Sequence, residues 1–237
     1  MFRIDKENKM AKILCIDTSA EVCSVVLGDE TGVKYERVSY EGRDHSIKAG
    51  SFANEILQEA KNDNFWPIDA VVVCSGPGSY TGLRIGVSLA KGLCYGYNVP
   101  LIALDSLQVM ARDVVKSGVV PLGALLCPMI DARRMEVYSS IFDANMNMKQ
   151  EAEAVIIDED SFSAYSDKPF YIFGTGAEKC AETLPWCNFV ADIYPMAHSL
   201  LEPAIEAFSL EKFEDLAYFE PFYLKQFQTT TSKKKLF

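Results

Sequence analysis

Histidine is nearly absent from this chain. His45 and His198 are the only two among 237 residues, and no H-x-x-x-H or H-E-x-x-H pair occurs. A helix-borne zinc or iron site needs two imidazoles one turn apart, so that class of centre is unsupported. Positive charge is also in deficit. Lys and Arg number 23 against 33 Asp and Glu, for a net charge of -10. Such a surface repels phosphates, which argues against an autonomous nucleic-acid binder, although the total leaves room for a local basic patch. No apolar run reaches the roughly 18 uncharged residues of a membrane span. Met1–Met10 is charged and lacks the apolar stretch of a signal peptide, so a short disordered leader is expected there. No C-x-x-C pair joins any of the seven cysteines, at 15, 23, 74, 94, 127, 180 and 187. Buried thiols in a reducing cytosol are the expected state. No G-x-S-x-G elbow and no Walker A loop is present.

What is present is a well-packed composition: 49% apolar and 24% charged residues, enough for a large core. Lys12–Thr18 and Val22–Gly28 are β-branched runs joined by Ser19, Ala20 and Glu21, which predicts a hairpin. Gly32–Tyr40 adds a third strand. From Asp44 or His45 to Lys61 the residues Ala49, Phe52, Ala53, Ile56 and Ala60 form one helical stripe. Asp69–Ser75 predicts a buried strand, Gly76–Thr81 a loop, Gly82–Tyr97 a helix, and Pro100–Leu104 a strand. Asp105 or Ser106 then caps a helix to about Lys116. The order is three strands, helix, strand, helix, strand, helix.

The opening hairpin has an echo. Ile13–Asp17 resembles Cys127–Asp131, and Glu21–Leu27 resembles Glu136–Phe142. Duplication of a strand-rich lobe explains this, with chance likeness of apolar strands as the alternative. In the second half only Phe170–Phe173, a short helix to Thr183 and a helix over Ala197–Leu210 are legible. Thr229–Phe237 is polar and basic and predicts a disordered tail.

Three motifs bear on chemistry. Asp17, Thr18 and Ser19 could hold a metal-bound phosphate, but all three residue types also bond their own backbone in turns, and the turn role is favoured. The loop opening the segment Ser75–Gly86, with Gly76, Gly78 and Gly82, could aim N–H groups at an anion or simply make a tight strand-to-helix connection. The following helix carries two small-residue stripes, Gly82, Gly86 and Ala90 and then Ser88, Gly92 and Gly96. It is apolar nearly all round, which calls for burial on more than one side. The helix before it has a second, shallower stripe of Ile47, Gly50 or Ser51, and Leu57. Either this chain's second lobe or another protein could cover these surfaces.

The segment Ser75–Gly86, with Ile16–Ser19 upstream and Ile130–Tyr138 downstream, resembles the TsaB (YeaZ) family, as does His45-Ser46 at the first helix start. The resemblance runs from about residue 11 to residue 224. It implies an α/β protein with the duplicated actin/Hsp70-like ATPase fold, ribonuclease H-like in each lobe. The expected lobes are 11–113 and 114–224, with flexible ends at 1–10 and 225–237.

The resemblance also implies a cytoplasmic, non-catalytic role in adding threonylcarbamoyl to the anticodon-adjacent adenosine of tRNAs reading codons that start with A. In that system a paralogue, TsaD, carries the metal and the chemistry, and a small ATPase, TsaE, joins the pair. Binding to TsaD through the first two helices makes His45, Ile47, Ser51, Asn54, Leu57, Leu83, Gly86, Val87, Ala90 and Cys94 the candidate interface. A second copy of this chain could take that place, as a homodimer, when the partner is absent, because a partner of the same fold presents similar helices; contact with tRNA is implied through the complex, and no membrane. Asp17, Thr18, Ser19, Gly76, Gly78 and Asp131 become vestigial phosphate-loop candidates, and Gly174 and Gly176 a reduced adenosine loop. ATP or ADP is then expected in the complex, with no catalytic residue or metal ligand assigned to this chain. The competing reading is a small-molecule kinase or ATPase of the same fold, using Asp17 and Asp131 around Mg-ATP; a metalloprotease is a distant third.

Overall fold

The computed structural model describes residues 10–42 and 44–225. The leader and tail expectations for 1–9 and 226–237 lie outside the described residues.

The first lobe is a five-stranded sheet. Its strands are β1 (Ile13–Asp17), β2 (Cys23–Asp29), β3 (Gly32–Ser39), β4 (Ala70–Gly76) and β5 (Leu101–Asp105). Their spatial order is β3-β2-β1-β4-β5. β1 runs antiparallel to β2, with Asp17 opposite Ser24, and parallel to β4. β1 is buried along its whole length, as a strand covered on both faces must be, and this is why it reads as an unbroken apolar run. On one face lie α1 (His45–Asn62) and α2 (Tyr80–Tyr97). Their Ala53, Ile56, Val87 and Ala90 pack on Leu14, Ile16, Val71 and Val73. On the other face lies α5 (Ala197–Ser209), whose Leu200, Leu201 and Ala204 meet Ile13, Cys15 and Val26.

The second lobe repeats this plan. Its strands are β6 (Leu125–Asp131), β7 (Glu136–Asp143), β8 (Met148–Ile156), β9 (Phe170–Phe173) and β10 (Asn188–Val190). The order is β10-β9-β6-β7-β8. β6 is antiparallel to β7 and parallel to β9, as β1 is to β2 and β4. Asp17 and Asp131 end equivalent strands. This is the duplicated actin/Hsp70-like layout. The second copy is reduced: a 3₁₀ turn at Ser163–Tyr165 stands where the first lobe has α1, and a four-residue α4 (Glu178–Ala181) stands for α2.

α3 (Ser106–Lys116) is shared between the lobes. Its Val109 belongs to the first lobe's core, while Leu107, Met110, Ala111 and Val114 pack on Leu126, Ile130, Phe142 and Phe173 of the second. The helix runs through the expected 113/114 division, so the lobes part along a helix face and not at a linker. Asp105 caps it, accepting from the Gln108 N–H at 2.7 Å.

Two local features differ from the sequence expectation. α2 begins at Tyr80, two residues before the expected Gly82, because Ser79 Oγ accepts from the Gly82 N–H and turns the loop's last residues into a first helical turn. β8 and β10 were not legible. β8 alternates charge with small residues at a sheet edge, and β10 has only three residues. Among the described residues no helix is long and apolar enough to cross a membrane.

Candidate functional site

The two equivalent strand ends face a cleft between the lobes. It measures about 360 Å3 and is lined by Ser19, Glu21, His45, Ser79, Asp131 and Thr175, among others. The loop after β1 and the loop after β4 both reach this cleft. Here the two loops are joined to each other.

Thr18 Oγ1 donates to the Gly82 carbonyl at 2.7 Å. The Ser79 N–H donates to the Ser19 carbonyl at 2.7 Å. A Cβ on Gly78 would sit 2.3 Å from Ser19 O, one on Gly82 2.0 Å from Thr18 O, and one on Gly86 2.4 Å from Thr18 Oγ1. Gly78 and Gly82 therefore let backbone reach backbone, and Gly86 makes room for the Thr18 side chain. Of the two meanings open to this loop, the tight connection is the one formed. Gly76 serves the same purpose at φ +110°, where a Cβ would lie 2.8 Å from the Phe222 carbonyl. Ser106 Oγ ties the loop from below, donating to Pro77 O at 2.5 Å.

Asp17 is fully buried and does not line the cleft. Its Oδ1 accepts from the Ser19 N–H at 2.8 Å and from Ser19 Oγ at 2.7 Å, which is the turn chemistry favoured from residue types. Burial pushes this carboxyl up, and the Ser19 bonds oppose the rise. No cation pairs with it among the described ion pairs. Asp131 does line the cleft, but Lys179 is ion-paired to its Oδ1. The same ammonium donates to the carbonyls of Arg134 at 2.6 Å and Glu136 at 2.7 Å. A magnesium-bound phosphate needs ionised carboxylates free to face the metal. One carboxylate is buried and the other is occupied by a lysine, so this donor set does not fit that group. Among the described residues no three His, Cys, Asp or Glu side chains converge as a metal set.

Gly174 and Gly176 repeat the pattern in the second lobe. Their Cβ atoms would sit 2.4 Å from Met129 O and 2.8 Å from Val137 Cγ1, and the Gly176 N–H donates to Met129 O at 2.9 Å. These glycines also serve close packing onto β6. Thr175 Oγ1 lies 3.1 Å from the Asp131 N–H, accepting from it.

On the helix surfaces the structure departs from the expected interface. His45, Leu57, Leu83, Gly86, Val87, Ala90 and Cys94 are buried in this chain's own interior, so they are withdrawn from the interface set as direct contacts. The sequence shows two apolar stripes on each helix but not which one meets the sheet. His45 instead fixes the start of α1, its Nε2 lying 2.9 Å from the Ala20 carbonyl; because a carbonyl only accepts, this nitrogen carries the proton. Ile47, Ser51 and Asn54 do lie on the outside, Ile47 at 71% exposure. On α2 the outward face is Ser88, Gly92, Tyr95 and Gly96. Tyr95 is 84% exposed, and a Cβ on Gly92 or Gly96 would meet nothing within 4 Å. The second small-residue stripe is thus the one left uncovered.

Lys179 and the chain after α5 were missed by sequence reasoning. Lys179 is one of many lysines, and nothing in its neighbourhood marks it as Asp131's partner.

Residues 32–221 match the family model described as TsaD: tRNA N6-adenosine threonylcarbamoyltransferase. The chain is 35% identical over 133 residues to the tRNA threonylcarbamoyladenosine biosynthesis protein TsaB of Bacillus subtilis, covering 55% of this chain and 54% of that protein. It is 29% identical over 225 residues to the protein of the same name from Escherichia coli, covering 90% of this chain and 94% of that one. The chain therefore spans about half the length of the first relative and nearly all of the second. Among solved structures, YeaZ from Pseudomonas aeruginosa superposes with a TM-score of 0.76 at 24% identity, over 91% of this chain and 100% of that chain. That likeness establishes a shared fold.

Proposed function

We propose that this chain, a member of the TsaD family similar to its TsaB/YeaZ branch, supports threonylcarbamoyl transfer to tRNA as a non-catalytic subunit. The transfer target is the anticodon-adjacent adenosine of tRNAs that read codons starting with A. The chemistry belongs to a TsaD-like paralogue, which this chain binds. A TsaE-like ATPase joins the pair, ATP or ADP is handled within that assembly, and tRNA is engaged through the complex in the cytoplasm.

The observation that carries this reading is the state of the two strand-end carboxylates: Asp17 is buried and bonded to Ser19, and Asp131 is paired with Lys179. The turn at 17–19 and the loop at 76–82 are also bonded to each other, with no space for a Cβ at Gly78 or Gly82. A chain built this way keeps the architecture of an ATPase without its working groups. The partner surface is the outward side of α1 and α2, where Ile47 and Tyr95 stand exposed beside the uncovered stripe Ser88, Gly92 and Gly96. A partner of the same fold presents similar helices, so a second copy of this chain takes the same place when the paralogue is absent.

The test is reconstitution. Purified chain, a TsaD-like protein and a TsaE-like protein are assayed for tRNA modification with an activated threonylcarbamoyl donor supplied. The reading expects modification to require this chain, and Ile47→Glu to lower both partner binding and modification. Steady ATP or sugar phosphorylation turnover by the isolated chain would favour the kinase alternative and overturn this one.

A further inference from the structure

The chain does not end with α5. Residues 211–225 return across the first lobe and finish on the second, touching the partner-facing helix along the way. The Glu214 N–H donates to Leu101 O at 2.9 Å, bridging to edge strand β5. Leu216 and Phe219 pack into the core shared by α1 and α2. Lys91, on the fourth turn of α2, donates to the carbonyls of Ala217 at 3.2 Å and Phe219 at 3.1 Å. The Phe222 N–H donates to Ser75 O at 2.9 Å, at the exit of β4. The Tyr223 ring lies 4.7 Å from the ring of Tyr80 in the first turn of α2, and Arg84 sits 4.5 Å over that same Tyr80 ring. Lys225 then pairs with Glu136 at the start of β7, in the second lobe.

We propose that this strap is a brace that sets the position of α2, and through it the competence of the partner surface, according to how the two lobes sit together. The proposal rests on the partner reading above. The physical reason is the distribution of its contacts. α2 is held by the strap at its first turn through Tyr80 and at its fourth through Lys91, while the loop leading into it is held through Ser75. All three holds belong to one segment whose far end is anchored on the other lobe. A displacement of the second lobe is therefore passed to α2 through Lys225, Tyr223 and Phe222, alongside the packing that α3 shares between the lobes. Lys91 and Tyr223 are positioning residues in this scheme. They act through α2, and the strap's outer side leaves Tyr218 84% exposed beside that helix.

The experiment compares full-length wild type with two variants that release the strap at different points, Lys91→Met and the double variant Phe222→Pro, Tyr223→Ala. Lys91→Arg and Tyr223→Phe are the conservative controls, and Ile47→Glu tests the surface itself. Dissociation constants for a purified TsaD-like partner, hydrogen exchange of the α2 amides and thermal melts are measured on each. Losing charge-assisted bonds that hold α2 should weaken partner binding about tenfold. It should also speed exchange over residues 80–91 while the global melt stays cooperative. The conservative variants should bind within about twofold of wild type. Strap variants with wild-type exchange in α2 and wild-type affinity, alongside a weakened Ile47→Glu, overturn the brace and leave the partner reading standing. An Ile47→Glu that binds like wild type overturns the partner reading, and exchange over 80–91 then decides the brace by itself. If the double variant fails to fold, the surface change Lys91→Met decides the brace alone, by the same affinity and exchange measurements.

Discussion

Thr18 Oγ1 donates a 2.7 Å hydrogen bond to the carbonyl of Gly82, across 64 residues of chain. The turn after the first strand and the first turn of α2 are thereby one packed unit. Gly82 is glycine because Thr18 O occupies the place of its Cβ.

Two glycines of the same helix should then respond in opposite ways. Gly82→Ala forces a methyl group to 2.0 Å from Thr18 O and should destabilise by about 1–3 kcal/mol, as overpacking does. Gly92→Ala meets nothing within 4 Å and should stabilise by about 0.5–1 kcal/mol, the ordinary gain from removing a helical glycine. Urea unfolding of both variants checks this. Equal effects of the same sign would contradict the packing argument.

Asp17 should make stability fall as pH rises. Burial holds its folded-state pKa above the ordinary 3.8, so the unfolded chain loses this proton first. Stability from this group is complete below 3.8 and declines as pH climbs through the folded pKa. Asp17→Asn removes the dependence. Its stability relative to wild type should rise from acid toward neutral pH, measured by denaturant midpoints along a pH series. The same variant should still support tRNA modification, because Asp17 is buried on Ser19 and does not line the cleft. A flat difference across the series would show that Asp17 does not titrate in this way.

Lys179→Met should loosen the β6–β7 turn. It removes an ion pair to Asp131 and two carbonyl contacts. The ion pair is partly exposed and counts for little, so the carbonyl bonds dominate and a loss of about 1–3 kcal/mol is expected. Freeing Asp131 should not confer ATP hydrolysis, since Asp17 at the equivalent strand end stays buried on Ser19 and out of the cleft. Phosphate release assays on the variant measure this, and turnover above wild type would reopen the ATPase reading.

The thiols should be inert in the native state. All seven cysteines are free, and six are buried. Burial pushes Cys23 up to about 11 and Cys94 and Cys187 up to about 12, and the thiolate is the reactive form. An aromatic disulfide reagent at neutral pH should label the folded chain slowly, with half-buried Cys187 first, and should label every cysteine once the chain is unfolded in denaturant.

Much of the fold is legible in the residues themselves. The β1–β2 hairpin, its copy at β6–β7 and the first-lobe order follow from apolar runs, turn residues and helical spacing, all within a few residues of each other. The Asp105 cap and the turn role of Asp17 are equally local. Where patterning weakens, in the second lobe, the strands β8 and β10 escape, because a charged edge strand and a three-residue strand have no clear period.

The chain's own residues thus determined the duplicated lobes and the position of the glycine loop, since strand alternation and turn chemistry act between neighbours. Tertiary structure alone decided what those parts do. It chose the inward stripe of α1 and α2, and so withdrew Leu83, Gly86 and Ala90 from the surface while leaving Ile47 and Tyr95 on it. It brought Lys179 to Asp131, 48 residues away, and laid Phe222 over Gly76. Each of these pairings joins groups distant in sequence, whose meeting depends on how the sheets and helices stack and leaves no local periodicity to read.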